Sequence, residues 1–147
     1  MKTIDKQPPS DLTYGRGYVY NLQYHIIWCT KYRHPVLVNG IDEDCKEMLQ
    51  EIAEDYRFTI NEIEVMPEYI HLLVKCSPQF CIPSMMKIMK GNIARKLFIK
   101  HPELKGSLCG GHLWNPSYCI LTASERSTEQ ITEYINSQKT NETDKHI

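Results

Sequence analysis

The sequence predicts an α+β domain: a four-stranded antiparallel sheet, two helices packed on one of its faces, and a further helix at the C-terminal end. Three observations predict it. Residues 17–30 alternate with period two, apolar residues recur at helical spacing from Ile41 and again from Met85, and the elements run strand, helix, strand, strand, helix, strand, helix. At 147 residues and 41% hydrophobic content, the chain suits one domain with its own core.

Residues 1–15 are polar, contain Pro8 and Pro9 and show no periodicity, so they read as a flexible arm. The single domain then spans residues 16–140, and residues 141–147 read as a frayed tail. Tyr18, Tyr20, Leu22, Tyr24, Ile26 and Trp28 occupy alternate positions of a segment rich in strand-forming residues, which predicts the first strand over 17–30. The run Lys31-Tyr32-Arg33-His34-Pro35 ends it. Ile41, Cys45, Met48, Leu49, Ile52, Ala53 and Tyr56 then fall on one stripe of an amphipathic helix of about four turns. Residues 58–65 form a second strand and residues 69–76 a third, joined as a hairpin through Pro67-Glu68. Met85, Ile88, Met89, Ile93 and Leu97 mark a second helix that starts near Pro83-Ser84 and closes at His101-Pro102.

Gly106, Gly110, Gly111 and Pro116 make residues 105–116 a loop, and residues 117–122 a short fourth strand. Ser127 followed by Gln130 is a capping-box signature, opening a terminal helix that carries Ile131, Tyr134, Ile135 and Gln138 to about Lys139. Two strand-bearing halves whose helices cover one sheet face constitute the ferredoxin-like arrangement. The terminal helix is additional to it and has to pack on its own sheet or on a partner chain.

Net charge is −1, yet the charge is segregated. Acids outnumber bases over residues 41–57, whereas Lys87, Lys90, Arg95, Lys96, Lys100 and Lys105 face the single acid Glu103 over residues 82–106. A local positive surface therefore survives a near-neutral total. The six cysteines are scattered, with no two-residue-spaced pair of the zinc or redox type, and read as small buried hydrophobes. No apolar run approaches the roughly 18 residues of a membrane span and no secretory leader pattern is present, so a cytoplasmic protein without membrane contact is expected.

Two residue pairs carry potential chemistry. Tyr69 and His71 lie two apart on a strand and share a face, and Tyr134 and Gln138 lie four apart on one helical stripe. Each pair by itself reads as ordinary packing. His25 and His112 have no spacing to a partner that assigns them a role.

The ordered text YNLQYHIIWCTKYRHPVL, EVMPEYIHLLV, Lys90-Gly91, LWNPSY and YINSQ, from about Tyr18 to Lys139, resembles the IS200/IS605-like single-tyrosine HUH transposases. That resemblance implies a ferredoxin-like homodimer that recognises hairpins in single-stranded DNA and cuts and rejoins insertion-sequence ends through a 5′-phosphotyrosine. It implies Tyr134 as nucleophile and a Mg²⁺ or Mn²⁺ ion held by His71 and Gln138. Tyr69 stands where the family carries its first metal-binding histidine, and a neutral phenol is a poor ligand for a hard cation. DNA oxygens, water or Glu68 then have to complete the ion's sphere. An alternative follows: a catalytically impaired relative that binds a nucleic-acid hairpin as a regulator. A third reading, a metabolic or structural domain of the same fold, leaves the ordered motifs unexplained. For DNA contacts, Lys31, Arg33, Lys87, Lys90 and Arg95 are candidates for phosphate, and Tyr32 and Trp114 for stacking on an unpaired base. Trp114 and Tyr118 suit the core equally well.

Overall fold

The computed structural model describes residues 12–124 and 126–140. Strands β1 (Thr13–Gly15) and β2 (Tyr18–Tyr20) form a small antiparallel hairpin. This corrects the expectation of a structureless arm up to residue 15, while residues 1–11 of that arm and the tail at 141–147 lie outside the described residues. Glycine permits the tight reversal. Gly17 has φ +85°, and a Cβ on Gly15 would overlap the Tyr18 ring.

The long first strand expected over 17–30 is divided at Asn21, where the chain leaves the hairpin and enters the main sheet as β3 (Leu22–Cys29). β3 is followed by a 3₁₀ turn at Lys31–Arg33, and then by α1 (Ile41–Tyr56), which buries Ile41, Cys45, Leu49, Ile52 and Ala53. Asp42, Glu43 and Asp44 occupy the first turn of α1, where the positive end of the helix dipole favours carboxylates. β4 (Thr59–Met66) and β5 (Tyr69–Cys76) are the hairpin turned by Pro67-Glu68. α2 (Ile82–Lys100) buries Met85, Met86, Met89, Ile93 and Leu97. Within the loop expected at 105–116, short 3₁₀ segments occur at Pro102–Ser107 and Cys109–Gly111. β6 (Cys119–Thr122) and α3 (Ser127–Asn136) complete the chain.

The sheet order is β4-β5-β3-β6, with every neighbouring pair antiparallel. That is the ferredoxin-like topology. β3 lies inside it, and Ile26, Ile27, Trp28 and Cys29 are each 0% exposed, which requires cover on both faces. Ile26 and Trp28 enter the principal core with Ile70, Leu72, Met89, Ile93 and Leu97 from the α1/α2 side. Ile27 and Cys29 enter a smaller cluster closed by Ile135 and flanked by Ile131 and Tyr134 of α3, with Tyr69 and Cys119. The additional helix therefore covers the far face of its own sheet.

The capping box expected at Ser127 and Gln130 does not form. Ser127 is already inside the helix, and its hydroxyl donates to the Thr122 carbonyl and accepts from the Ser124 N–H, so it ties the end of β6 to α3. α3 also ends at Asn136, which leaves Gln138 beyond it and corrects the placement of Gln138 on the helix. No helix among the described residues is long and apolar enough to cross a membrane.

Removing a fully buried leucine loses its transfer energy and leaves a cavity. Leu72→Ala is expected to lower the unfolding free energy by about 2–5 kcal/mol in urea denaturation. Ile99, 74% exposed, is the contrast: Ile99→Ala should change stability by no more than about 0.5 kcal/mol.

Candidate functional site

Strand register sets which groups meet on the far face of the sheet. Ile27 is paired with His71 and Cys29 with Tyr69, while Glu64 and Met66 flank the same two residues from β4. Tyr69 and His71 therefore share a face, as their spacing predicts, and that face is the one α3 covers. With Glu62, Glu64, Thr128, Ile131, Thr132 and Ile135 they line a cavity of about 460 Å³.

His71 is engaged on both sides of its ring. Its Nε2 lies 2.8 Å from His25 Nδ1, with the two rings stacked at 5.0 Å and 23°. Its Nδ1 lies 3.7 Å from a Glu64 carboxylate oxygen. Burial and the neighbouring His71 lower the pKa of His25 against a smaller opposing pull from Glu62, so His25 is neutral at neutral pH. Tyr69 is shifted in the other direction. Burial first, then the negative charges of Glu64 and Glu68, raise its phenol above the ordinary value. A phenolate, the form in which tyrosine binds a metal well, is thereby disfavoured.

Tyr134 lies on α3 against Cys29 and Cys119, and its hydroxyl is 2.7 Å from Ser117 Oγ. Burial raises its pKa, while the Ser117 hydrogen bond opposes that rise. Just past the helix end, the Gln138 N–H donates to the Ile135 carbonyl, and its side-chain oxygen accepts from the Asn115 amide. Asn115 is itself fixed by its N–H to the Cys29 carbonyl, and Lys31 is bonded to Leu113 in the same way. These bonds bring the loop before β6 against the end of β3. A cavity of about 350 Å³ results, lined by Lys31, Tyr32, Asn115, Pro116, Ser137, Gln138 and Lys139. It combines two cations, one aromatic ring and amide groups.

Tyr32 and Arg33 hold this corner at φ 54° and 55°, a region that non-glycine residues seldom occupy. Thr30 steadies the turn through hydroxyl bonds to the His34 and Glu68 carbonyls. Lys31 lies 5.3 Å from the Tyr32 ring centre.

The other expected DNA contacts are distributed differently. Arg33 is paired with Glu68 at 3.0 Å. Lys90 donates to the Asn115 and Ser117 carbonyls, and burial lowers its pKa, which corrects its reading as a phosphate contact. Trp114 is buried, donates its indole N–H to the Lys90 carbonyl and packs edge-on against Trp28, which corrects its reading as a base-stacking residue. Lys87 and Arg95 are exposed on α2, on the opposite side of the sheet from Tyr69 and His71.

The residues implied as Mg²⁺ or Mn²⁺ ligands are engaged with protein groups. Gln138 is directed to Asn115, Tyr69 is held neutral, and His71 is directed to His25 and Glu64. Among the described residues, no group of three or more His, Cys, Asp or Glu forms a metal-binding cluster. His25, Asn115 and Ser117 are the site residues that sequence reasoning missed. His25 shares its strand face with Ile27 and Cys29 through the two-residue period, but its partner on β5 is fixed only by register.

The sequence profile of the family described as Transposase IS200 like matches residues 18–138. The ISDra2 transposase TnpA of Deinococcus radiodurans is 50% identical over 130 residues, 88% of this chain and 93% of that protein. The transposase for insertion sequence element IS200 of Salmonella typhimurium is 26% identical over 119 residues, 81% of this chain and 78% of the relative. A crystal structure from Deinococcus radiodurans R1, of a protein named as a candidate transposase, superimposes with a TM-score of 0.84 at 48% identity, covering 88% of this chain and 99% of that one. A REP-associated tyrosine transposase bound to a REP hairpin shares the fold, with a TM-score of 0.55 at 16% identity over 84% of this chain and 71% of its own.

Removing the Lys90 ammonium strands two loop carbonyls. Lys90→Ala is expected to reduce the unfolding free energy by about 1–3 kcal/mol, against no more than about 0.5 kcal/mol for the exposed Lys87→Ala, both measured by urea titration.

Proposed function

The chain belongs to the IS200-like transposase family, and from that premise we propose that it binds hairpin-bearing single-stranded DNA and cleaves and rejoins it through Tyr134. The observation that carries the reading is the position of the Tyr134 hydroxyl, 2.7 Å from Ser117, on the helix whose end borders the cavity of Lys31, Tyr32 and Lys139. Two lysines there attract phosphate, and the Tyr32 ring offers a face to an unpaired base. A neighbour of the same fold is described as bound to a REP hairpin, which supports a hairpin as the feature recognised.

In the proposed reaction the Tyr134 oxygen attacks phosphorus, a Tyr–O–P bond forms, and the bond from phosphorus to the 3′-oxygen breaks. The phenol proton passes to the departing 3′-oxygen, directly or through a relay. The phosphotyrosine conserves the energy of the phosphodiester, so a later 3′-hydroxyl attack rejoins strands and returns the proton to Tyr134 without a nucleotide cofactor. Because burial holds the phenol neutral, proton removal belongs to the reaction rather than to a standing phenolate. Ser117 is the hydroxyl placed to orient that proton. With its pKa raised, the Tyr69 phenol is a poor ligand for a hard cation, so no step is routed through an ion held by Tyr69, His71 and Gln138. A homodimer is part of the proposal, with α3 serving its own sheet.

A second reading is favoured by one observation, the neutral Tyr69 in the place of the first histidine. In it the chain binds the hairpin as a regulator and cleaves little or not at all.

One experiment separates the two. The chain is incubated with hairpin-bearing single-stranded DNA and Mg²⁺ or Mn²⁺ and analysed under denaturing conditions. The proposed function expects a covalent protein–DNA adduct that Tyr134→Phe abolishes, whereas salt-sensitive binding with no adduct assigns the chain to the second reading. In the second reading, Tyr69 is what limits cleavage, and Tyr69→His is expected to raise the adduct rate by roughly tenfold or more. An unchanged rate removes Tyr69 as the limiting feature.

A further inference from the structure

One lysine of α2 holds the loop before β6 at three points. The Lys90 ammonium donates to the Asn115 carbonyl at 2.8 Å and to the Ser117 carbonyl at 3.3 Å, and the Lys90 carbonyl accepts the Trp114 indole N–H at 2.9 Å. The side chains of the same loop reach α3. The Ser117 hydroxyl lies 2.7 Å from the Tyr134 hydroxyl, and the Asn115 amide donates to Gln138 just past the helix end. α2 and α3 cover different faces of the sheet, so Lys90 acts on the tyrosine through this loop. We propose that Lys90 is a positioning residue for the Tyr134 hydroxyl, fixing the peptides from which Asn115 and Ser117 project, a role that rests on the reading of Tyr134 as the nucleophile.

The side chain suits that role. An ammonium presents three donors on one compact charge, so a single group satisfies two carbonyls that lie two residues apart in the chain. Burial lowers the Lys90 pKa, with no carboxylate to offset the cost. The two carbonyls stand in for a counter-ion. Displacing the loop would leave the cation buried with its donors unmet, and that penalty makes the loop stiff. The Asn115 N–H to the Cys29 carbonyl and the bridge between Thr30 and Trp114 tie down the start of the loop, while the Ser117 carbonyl is held by Lys90.

Stiffness matters because an oxygen that attacks phosphorus has to arrive in line. A misplacement of about 1 Å can cost roughly 100-fold in rate. Lys90 thus contributes to the reaction without facing the cavity of Lys31, Tyr32 and Lys139, which its side chain does not line.

The test compares Lys90→Met, which keeps the apolar stem and removes the donors, with Ser117→Ala and the double variant. Without DNA and at fixed neutral pH, the Cζ resonance of Tyr134, which reports the hydrogen bond of its hydroxyl, should move in Lys90→Met in the same direction as in Ser117→Ala. The double variant should move no further than Ser117→Ala alone, since both changes remove one bond. With hairpin-bearing single-stranded DNA and Mg²⁺ or Mn²⁺, the maximal rate of adduct formation in Lys90→Met should fall by about tenfold or more, while the DNA concentration that gives half of that rate stays as in the natural chain. Lys90→Gln, too short to reach both carbonyls, is read in the same way if Lys90→Met does not fold. A folded Lys90 variant with the natural Tyr134 resonance, shifts that add in the double variant, or an adduct rate that falls only through weaker DNA binding overturns the proposal. If the natural chain forms no adduct while the resonances are coupled, the cleavage reading fails and the placement of Tyr134 by Lys90 stands.

Discussion

Burial of β3 on both faces is the constraint on which the rest of the structure depends. Ile26 and Trp28 require α1 and α2 on one side, and Ile27 and Cys29 require α3 on the other. Because strand side chains alternate, one segment of four residues specifies both a core and a site wall. A one-residue slip of β3 would exchange the two sets, remove His25 from His71 and turn Tyr69's neighbour Cys29 into the principal core. Apolar burial therefore fixes the register, and register fixes the chemistry.

The C-terminal end of β3 extends this control to the second cavity. The Cys29 carbonyl accepts the Asn115 N–H, Thr30 is bonded to Glu68, and Lys31 is bonded to Leu113. Lys90 reaches across from α2 to the Asn115 and Ser117 carbonyls. The partner of the Tyr134 hydroxyl is thus held by a lysine that points inward. Three expected DNA contacts in this region, Arg33, Lys90 and Trp114, instead support the loops around Lys31 and Tyr32. Positive charge is divided here: Lys90, where it is buried, builds the corner, and Lys31 and Lys139 border the cavity, where the proposed function assigns them to phosphate.

The helix periods of α1 and α2 were legible because amphipathic stripes over several turns leave a strong pattern, and the β4–β5 hairpin was legible from Pro67-Glu68. The arm before residue 16 and the break at Asn21 were not, since three-residue strands carry too few alternations to register. Ser127 and Gln130 have the spacing of a capping box, but the Thr122 carbonyl and the Ser124 N–H take the serine hydroxyl instead. The capping signature gave way to partners three and five residues earlier in the chain. Gln138 shows the same effect, because the helix stops at Asn136 and the side chain turns to Asn115.

By itself the sequence determined the element order, the apolar faces and the family, because periodicity and ordered motifs are properties of neighbouring residues. It also marked Tyr69 as the departure from the family's histidine pair. Only the tertiary structure decided that His71 is paired with His25, that Lys90 and Trp114 face inward, and that α3 rests on its own sheet. Those contacts join residues far apart in the chain, and their geometry follows from strand register and from which carbonyls the folded loops leave to be satisfied.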